Sequence, residues 1–587
     1  MSVFALYRSG SVVCDGGLGD ARYCRRSSCW SCWSWRGSPA GACCLEAGCS
    51  LSPVGSPGLT QSGRQIGVSF APAIDDDVLL LRSFDHAEGL GRPSVTALEM
   101  SSTEAGIDPN SILGHPAVVR MDTPEGDRFI RGYVWSFESL GQEGGLWRYR
   151  AEVRPWLGML EANREYRVFQ QKTAADVVSA LLGVHSGAME LRPNLFGSSY
   201  RTRDLCVQYG ESDLAFVSRL LEDDGIYYTF EYTESGETLV LHDDSTQHEP
   251  RPGDASMPYQ PEGAYGGGMT DPEAVTRFER SSGYRCARYG ALDYSPVRPS
   301  TYVMGMRDGG LDHGPSWRQR YGYVESYGGP QTVDEAEAAA RLRMEEGEAS
   351  ADVFRGQTPS RLLGPGMTIS LRDHPGYEAS DSFLVTGVAI SAHGSPFESG
   401  VTGATDVSFE CSFEAMRADR AFRPARVTPK PKAEMQTAVI AAAAEGDDTP
   451  DLAKDDYCCV RLRFHWDHFA ASRHPIGDVD DMSDAGSSCW VRTSQSWAGK
   501  NFGWVSIPHP GQEVIVDFIN GDPDRPIVVG RVYNEENRPM MTPAENKAKM
   551  QLRDSGQNHI VMGAESGQQV IEMYSPSSGT RIRIGGG

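Results

Sequence analysis

Long hydrophobic runs are missing from this sequence. The longest, Ala438–Ala444, falls far short of the roughly 20 apolar residues that a membrane-spanning helix needs, so no helix is expected to cross a bilayer. Basic charge is scarce as well. Against 79 Asp and Glu stand only 55 Lys and Arg, a net charge of −24, and without an excess of cations to neutralise phosphates the chain is a poor partner for nucleic acid. Catalytic signatures are absent too: no H-E-x-x-H, no Walker A loop and no G-x-S-x-G occurs, and no pair of carboxylates is marked by spacing as acid and base. Beyond residue 50 the cysteines Cys206, Cys286, Cys411, Cys458, Cys459 and Cys489 show no paired spacing, which speaks against a metal site or a disulfide framework there. They read as ordinary buried or partly buried thiols.

The first fifty residues need a separate account, because Cys14, Cys24, Cys29, Cys32, Cys43, Cys44 and Cys49 crowd them. Cys29 and Cys32 have C-x-x-C spacing, but no second well-placed pair and no His before His86 completes a tetrahedral zinc set. Arg8 and Gly10 interrupt any signal-peptide core. Residues 1–62 therefore read as a disordered extension, or as translation from a start codon placed too early.

What is present is β-structure in several domains, since 587 residues exceed one hydrophobic core. Over 63–422, segments such as Arg148–Arg154, which alternates, and Phe383–Ile390, which is continuously apolar, are bounded by turn residues. The few helices are well marked. Thr173 can cap Ala174–Leu182, and Ser212 can cap a helix from Asp213 to about Glu222 that stops at Gly225. A third is expected over Val333–Glu346. Residues 423–455 open with a Pro- and Lys-rich stretch and read as a linker. A barrel of the OB type is expected over 456–538, with a hairpin from Gln512–Asn520 to Ile527–Tyr533. Residues 539–587 carry only short β runs at 560–562, 569–574 and 580–584, too separated for one chain to bury, so three chains are expected to share them.

Four segments in order resemble the OB barrel of the VgrG (Rhs element Vgr-like) family. They are Phe464-His465-Trp466-Asp467; Trp490-Val491-Arg492 running through Gln495 to Trp497 and Gly499; Pro508 with Gly511, Glu513 and the strand after them; and Gly521-Asp522-Pro523-Asp524-Arg525-Pro526 through Gly530 to Tyr533-Asn534. Upstream, Leu79–Phe84, Arg154-Pro155-Trp156-Leu157, Tyr209-Gly210-Glu211-Ser212-Asp213 and Glu222–Tyr228 with Gly225 look like the family's N-terminal part, which is similar to the baseplate hub of contractile-tailed phages. The resemblance covers residue 66 to the end. The chain departs from it at Tyr457-Cys458-Cys459, where the family usually has Gly-Arg, and in the longer loop between Trp466 and Trp490.

The resemblance implies a mainly β fold with a few helices: hub-like β-barrels, an OB-fold barrel and the start of a trimeric β-helix, here short or truncated and followed by no enzyme. It implies a spike or tip protein of a type VI secretion system, cytoplasmic before firing and then secreted or injected. The implied partners are two further copies, a ring of the tube protein Hcp, a PAAR-type tip protein and secreted effectors, with the target membrane met mechanically. Two other classes share the scaffold, a phage-like tail hub or spike and a cell-wall hydrolase riding on a hub.

Chemical readings of single residues yield to packing ones. His465, His468 and His474 with Asp467 have the donors for zinc, yet His465 sits in a β segment and the other two in a loop. No cofactor is expected. Trp466, Trp490, Trp497 and Trp504 are of the type that stacks on bases, but in an acidic chain they are expected to fill the barrel or a trimer interface. In the loop 521–526, Pro523 and Pro526 stiffen a turn in which Arg525 is expected to pair with a neighbouring Asp.

Overall fold

The structure, a computed structural model, describes residues 59–183, 189–197, 200–261, 271–311, 322–326, 332–395, 397, 407–441, 457–467, 490–542, 544 and 546–586. The chain is mainly β, with four α-helices among the described residues. Two barrels share one long sheet. The first runs in the order Ile66–Ser69, Pro116–Thr123, Gly126–Glu143, Leu146–Arg154, Arg92–Ser102, Leu80–Gly89. The second is built on Ser382–His393, Ser408–Arg417, Asp352–Thr358 and Arg277–Ser282, and it returns through Ser256–Pro258 and Thr368–Arg372 with a bridge between Tyr259 and Val275. Antiparallel pairing of Leu80–Gly89 with Ser382–His393 joins the two. Alternation along these strands sends Phe84, Leu98, Tyr149, Phe354, Phe383 and Ile390 into a single apolar cluster that runs through both barrels.

One side chain closes the first barrel. The Gln61 amide accepts from the backbone N–H of Val68 and of Leu81, both at 3.0 Å, and donates to the carbonyls of Val68 and Leu79. It thus replaces a rung of ladder between Ile66–Ser69 and the start of the next strand. Residues 1–58 lie outside the described residues, so the expectation of a disordered extension is not addressed there, but its end at residue 62 is too late: Gln61 is buried inside the fold. Gln61→Ala is expected to lower stability by about 3 kcal/mol, because it leaves buried backbone groups without partners. In urea unfolding a chain that starts at Leu59 should match the full chain, and one that starts at Gly63 should not.

Between the strands of the hub sits a helical subdomain. Ser212 caps Asp213–Asp224 by accepting from the Ala215 N–H at 3.1 Å, and Gly225 ends it at φ 69, so both sequence signals act as read. Its buried stripe, Phe216, Val217, Leu220 and Leu221, packs on Val177, Val178 and Leu181 of the helix Ala174–Gly183. A second small unit lays the helix Val333–Ala349 on Arg288–Asp293 and Val303–Asp308. There Gly305 is required by space, since a Cβ would stand 2.2 Å from the backbone of Ala336.

The expected linker, 423–455, needs correction. Gln436–Ile440 is a strand of the OB barrel, paired with Glu513–Phe518 and with Leu462–Phe464. Its alternation buries Ala438 and Ile440, and the barrel core needs them. The sheet continues through the expected hairpin, here Glu513–Phe518 with Pro526–Arg531. The loop that carries His468 and His474 lies outside the described residues, as does Cys489.

Candidate functional site

The family-like residues gather at the joint between hub and barrel, in the hub around Arg154 and in the barrel itself, and beyond them the tail sheet offers a second surface. At the joint the segment 421–435 has neither helix nor strand, as its prolines require, yet it is strapped down along its length. Arg423 donates to Glu345 at 2.7 Å and to the carbonyls of Gly225 and Asp243. One carboxylate, Glu222, accepts from the N–H of Val427 and Thr428 and from the Thr428 hydroxyl at 3.0, 2.9 and 2.7 Å. Lys430 then reaches Asp522 at 2.5 Å and Asp524 at 2.6 Å in the loop 521–526.

That loop is a fastener rather than only a stiff turn. Asp524 accepts from the backbone N–H of Val207 in the hub at 2.7 Å. Arg525 pairs with Asp293, 3.3 Å away on a hub strand, and not with a neighbour in its own loop. Gly521 takes φ 73 against Lys432, and Pro523 is buried. Beside these polar fasteners stands an aromatic one. Tyr166 and Tyr209 of the hub meet Trp466 at ring distances of 5.4 and 6.0 Å, Trp466 stacks on Phe464 at 4.9 Å, and its indole N–H donates to Gln436. The Tyr209 and Phe464-His-Trp motifs, far apart in sequence, are therefore two sides of one contact. Asp467 closes the turn after them through its N–H to the Phe464 carbonyl, and His465 faces the Thr437 hydroxyl on the adjacent strand at 2.9 Å.

Under the joint lie buried ion pairs. Glu211 takes three bonds from Arg219 at 2.6 to 3.0 Å, and Arg219 also donates to the Val207 carbonyl. Asp213 accepts from Arg167, Gln208 and Asn163. Nearby, burial pushes the Cys206 thiol up to about 12, and Cys411 likewise, so both stay protonated as packing groups.

In the Arg154-Pro155-Trp156 motif, Arg154 bridges Glu152 and Glu161 and covers the Trp135 ring, while Pro155 opens the short helix Trp156–Met159. The Trp156 N–H points at the buried Glu237 carboxyl, 3.0 Å away. Burial pushes Glu237 up to about 8, against the pull of that N–H and of Arg131. From the ordinary value of 4.5 up to about 8, the folded chain holds a proton that the unfolded chain has released. Its contribution to stability is complete below pH 4.5 and is lost as pH rises through about 8. Glu237→Gln should flatten that loss: between pH 5.5 and pH 8.5 the urea midpoint of the native chain is expected to fall further than that of the variant.

The tail is a four-stranded antiparallel meander, Lys549–Arg553, His559–Gly563, Val570–Ser575 and Thr580–Gly585. This corrects two expectations. The strand Lys549–Arg553 lies outside the expected runs, although Lys-Met-Gln-Leu-Arg alternates as a strand should. The runs also pair within one chain, since turns with Gln557, Gly567 and Gly579 at positive φ bring them together. What one chain lacks is a cover. Met550, Leu552, Ile560, Met562, Ile571, Met573, Ile582 and Ile584 fall on a single face by register, and seven of the eight, all but Ile560, are 39–64% exposed. The opposite face is mixed: Gln551, Arg553, Glu572, Arg581 and Arg583 stand there among His559, Val561, Val570 and Tyr574.

The remaining motif residues hold the barrel together. Val491 and Arg492 pair with Val460 and Cys459, and Arg461 lies over the Trp490 ring at 4.9 Å. Gln495 accepts from the Ser506 N–H, Glu513 accepts from Asn534, and the Gly511 N–H donates to the Ile440 carbonyl. Pro508 is buried, and Gly530 lets the Ile515 side chain approach. Trp497, Trp504 and Tyr533 are exposed, so of the two places expected for these tryptophans the barrel interior is excluded for Trp497 and Trp504.

Twin barrels with a helical insertion, fastened to an OB barrel that leads into an open β-tail, define a baseplate-hub protein of the contractile-injection type. Residues 87–396 match the family described as phage tail baseplate hub (GPD), and residues 477–533 match the type VI secretion system/phage-baseplate injector OB domain. The chain is 33% identical to the Pseudomonas aeruginosa type VI secretion system spike protein VgrG1b over 82% of its length and 62% of that protein's. It is 32% identical to VgrG1a of the same organism over 82% of its own length and 71% of that protein's. Among solved structures the Escherichia coli c3393 protein, described as a type VI secretion component structurally similar to T4 phage tail proteins gp27 and gp5, aligns with TM-score 0.54 at 22% identity, covering 77% of this chain and 97% of that one. The chain belongs to the VgrG family of type VI secretion system spike proteins. It spans about three-fifths of the length of VgrG1b and of VgrG1c.

Proposed function

We propose that the protein is the spike of a type VI secretion machine, a homotrimer that punctures a target membrane and carries effectors, and that it acts mechanically rather than as an enzyme. The observation that carries this reading is the one-sided tail sheet. A sheet that exposes an unbroken row of Met, Leu and Ile on one face, and gathers its charges on the other, is half of a core, and an apolar patch of that kind marks an interface. Three copies placed with those faces inward bury it about a closed axis, the arrangement that cyclic symmetry provides. Strand edges packed among three chains also resist peeling under thrust. The hub end is then free to seat on a ring of the tube protein Hcp and the tail end to take a PAAR-type tip. The protein waits in the cytoplasm and leaves the cell on firing. Among the described residues no helix is long and apolar enough to cross a membrane, which fits passage of the whole assembly through the bilayer rather than anchorage in it.

The test is the native mass of the purified full chain at micromolar concentration, for which three times 64.0 kDa is expected. A monomer would remove the physical basis of the spike. Peptidoglycan, lipid and nucleic acid incubated with the protein should remain intact, and turnover abolished by one Ser or carboxylate substitution would show an enzyme instead.

A further inference from the structure

Where the segment that fastens hub to barrel leaves the hub, it rests on a buried histidine pair. Tyr227 and His242 stand opposite each other at one end of the hairpin Tyr227–Tyr232 with Glu237–His242, and the chain after His242 turns back to lay His248 against both. Tyr227 stacks on His242 at a ring distance of 5.5 Å and meets His248 at 5.8 Å, and the two imidazoles are 4.9 Å apart. Phe422 closes on the Tyr227 ring edge-on at 4.9 Å, and its N–H donates to the Ser245 hydroxyl at 2.9 Å. The next residue, Arg423, donates to the carbonyls of Gly225 and Asp243. Leu90 and Gly91 of the first barrel pack on Tyr227, and Gly366 of the second has its missing Cβ 3.0 Å from the His248 ring. Both barrels, the helical subdomain and the strap therefore meet on these three rings.

The imidazoles are bonded to hydroxyls. His242 Nε2 meets Thr229 Oγ1 at 2.8 Å and His248 Nε2 meets the Tyr227 hydroxyl at 2.9 Å, and among the described residues neither ring is bonded to a carboxylate. The acids that face them are engaged elsewhere. Asp243 accepts from the N–H of Phe196 and Gly197 and from the Tyr200 hydroxyl, and Asp244 accepts from the N–H and hydroxyl of Thr246. Arg192 on the neighbouring strand and Arg423 on the strap add positive charge from two sides, while Leu90, Gly91 and Gly366 of the barrels do not ionise. Burial pushes His242 down to about 4, with His248 adding to the effect, and lowers His248 too, so both rings are neutral near pH 7.

We propose that the His242–Tyr227–His248 stack is an acid-operated seat for the strap: protonation of the two imidazoles forces them apart and releases Phe422 and Arg423 from the hub. The seat lies within one chain, so the proposal stands apart from the trimer reading. Its direction follows from where the proton binds more easily. In the released seat the rings meet water and take protons near the ordinary 6.5, whereas seated His242 resists down to about 4. The seated form therefore holds its full advantage above pH 6.5 and loses it as pH falls from 6.5 towards about 4. For His242 alone, release at pH 5 is favoured on the order of 20-fold more than at pH 7. Glu237, at the far end of the same strand, acts in the opposite sense and on unfolding of the subdomain as a whole, so acid loosens the seat without melting what carries it. The fasteners nearer the barrel, at Glu222, Asp522 and Asp524, rest on carboxylates rather than imidazoles.

Hydrogen exchange of the full-length chain, corrected for the intrinsic rate at each pH, tests this. Between pH 7 and pH 5 the protection of the Phe422 N–H should fall at least tenfold, beginning near pH 6.5, while the strand Leu146–Arg154 of the first barrel changes less than threefold. In the double variant His242→Gln with His248→Gln the fall at Phe422 should be less than twofold. Protection at Phe422 that holds to pH 5 in the native chain overturns the proposal. So does an equal fall in Leu146–Arg154, which is general acid unfolding, or an onset only below about pH 5, where ordinary carboxylates titrate. A folded double variant that loses protection as the native chain does would overturn it as well. If the double variant does not fold, the onset and the comparison with Leu146–Arg154 in the native chain decide the matter.

Discussion

Ile582→Asp is expected to leave the protein monomeric at micromolar concentration. Ile582 stands opposite Met573 in the middle of the uncovered face of the tail and is more than half exposed in the single chain. The substitution costs the isolated chain little, because the carboxylate there is solvated. In a trimer it removes about 2 kcal/mol of apolar burial per copy and adds the desolvation of three like charges at one level of the axis, at least about 2 kcal/mol more for each. The sum is on the order of 12 kcal/mol per trimer, or roughly nine decades in the association constant. Sedimentation should therefore show one chain where the native protein shows three. Arg583→Gln, on the opposite face, should leave the mass unchanged. If Ile582→Asp kept the trimer, the apolar face could not be its core.

Glu211→Ala is expected to destabilise the hub by about 3–5 kcal/mol, because it abandons the buried Arg219 guanidinium to a single remaining carbonyl. The effect should spread across the joint. Arg219 holds the Val207 carbonyl while Asp524 of the barrel holds the Val207 N–H, so loosening one side of that peptide frees the other. Urea unfolding should report the lost stability, and hydrogen exchange at Val207 should quicken. Exchange at Val207 unchanged in a folded variant would show that the ion pair and the joint are uncoupled.

Much of this architecture was legible in single segments and little of it between them. The helix Asp213–Asp224 was readable because a Ser cap, an apolar stripe and a terminal Gly are local signals. The hairpin at 513–531 was readable because alternation and a Pro-rich turn adjoin. The family-like motifs carried no information on which of their residues meet. Arg525 pairs with Asp293 across 232 positions, and Tyr209 meets Trp466 across a domain boundary, distances over which spacing carries no information. Gln436–Ile440 reads as linker because a Pro- and Lys-rich stretch precedes it, although its own alternation matches the strands it joins. The function of Gln61 had no signal at all, since an amide standing in for a strand is visible only once both strands are placed.

The strap from Arg423 to Lys430 has a consequence for error tolerance. Arg423 and Glu222 hold the strap to the hub, the Lys430 pairs, Asp524 and Arg525 fasten the barrel to strap and hub at separate points, and the tyrosine–tryptophan contact adds another. Fasteners acting in parallel share a load, so the loss of one shifts its share to the rest and leaves the alignment of the two bodies intact. Redundancy of this kind makes single changes at the strap nearly silent and pairs of changes more than additive, with a coupling that grows as fewer fasteners remain. In the spike proposed above, such spares would protect the alignment of the two bodies against both mutation and the loss of any one contact under load.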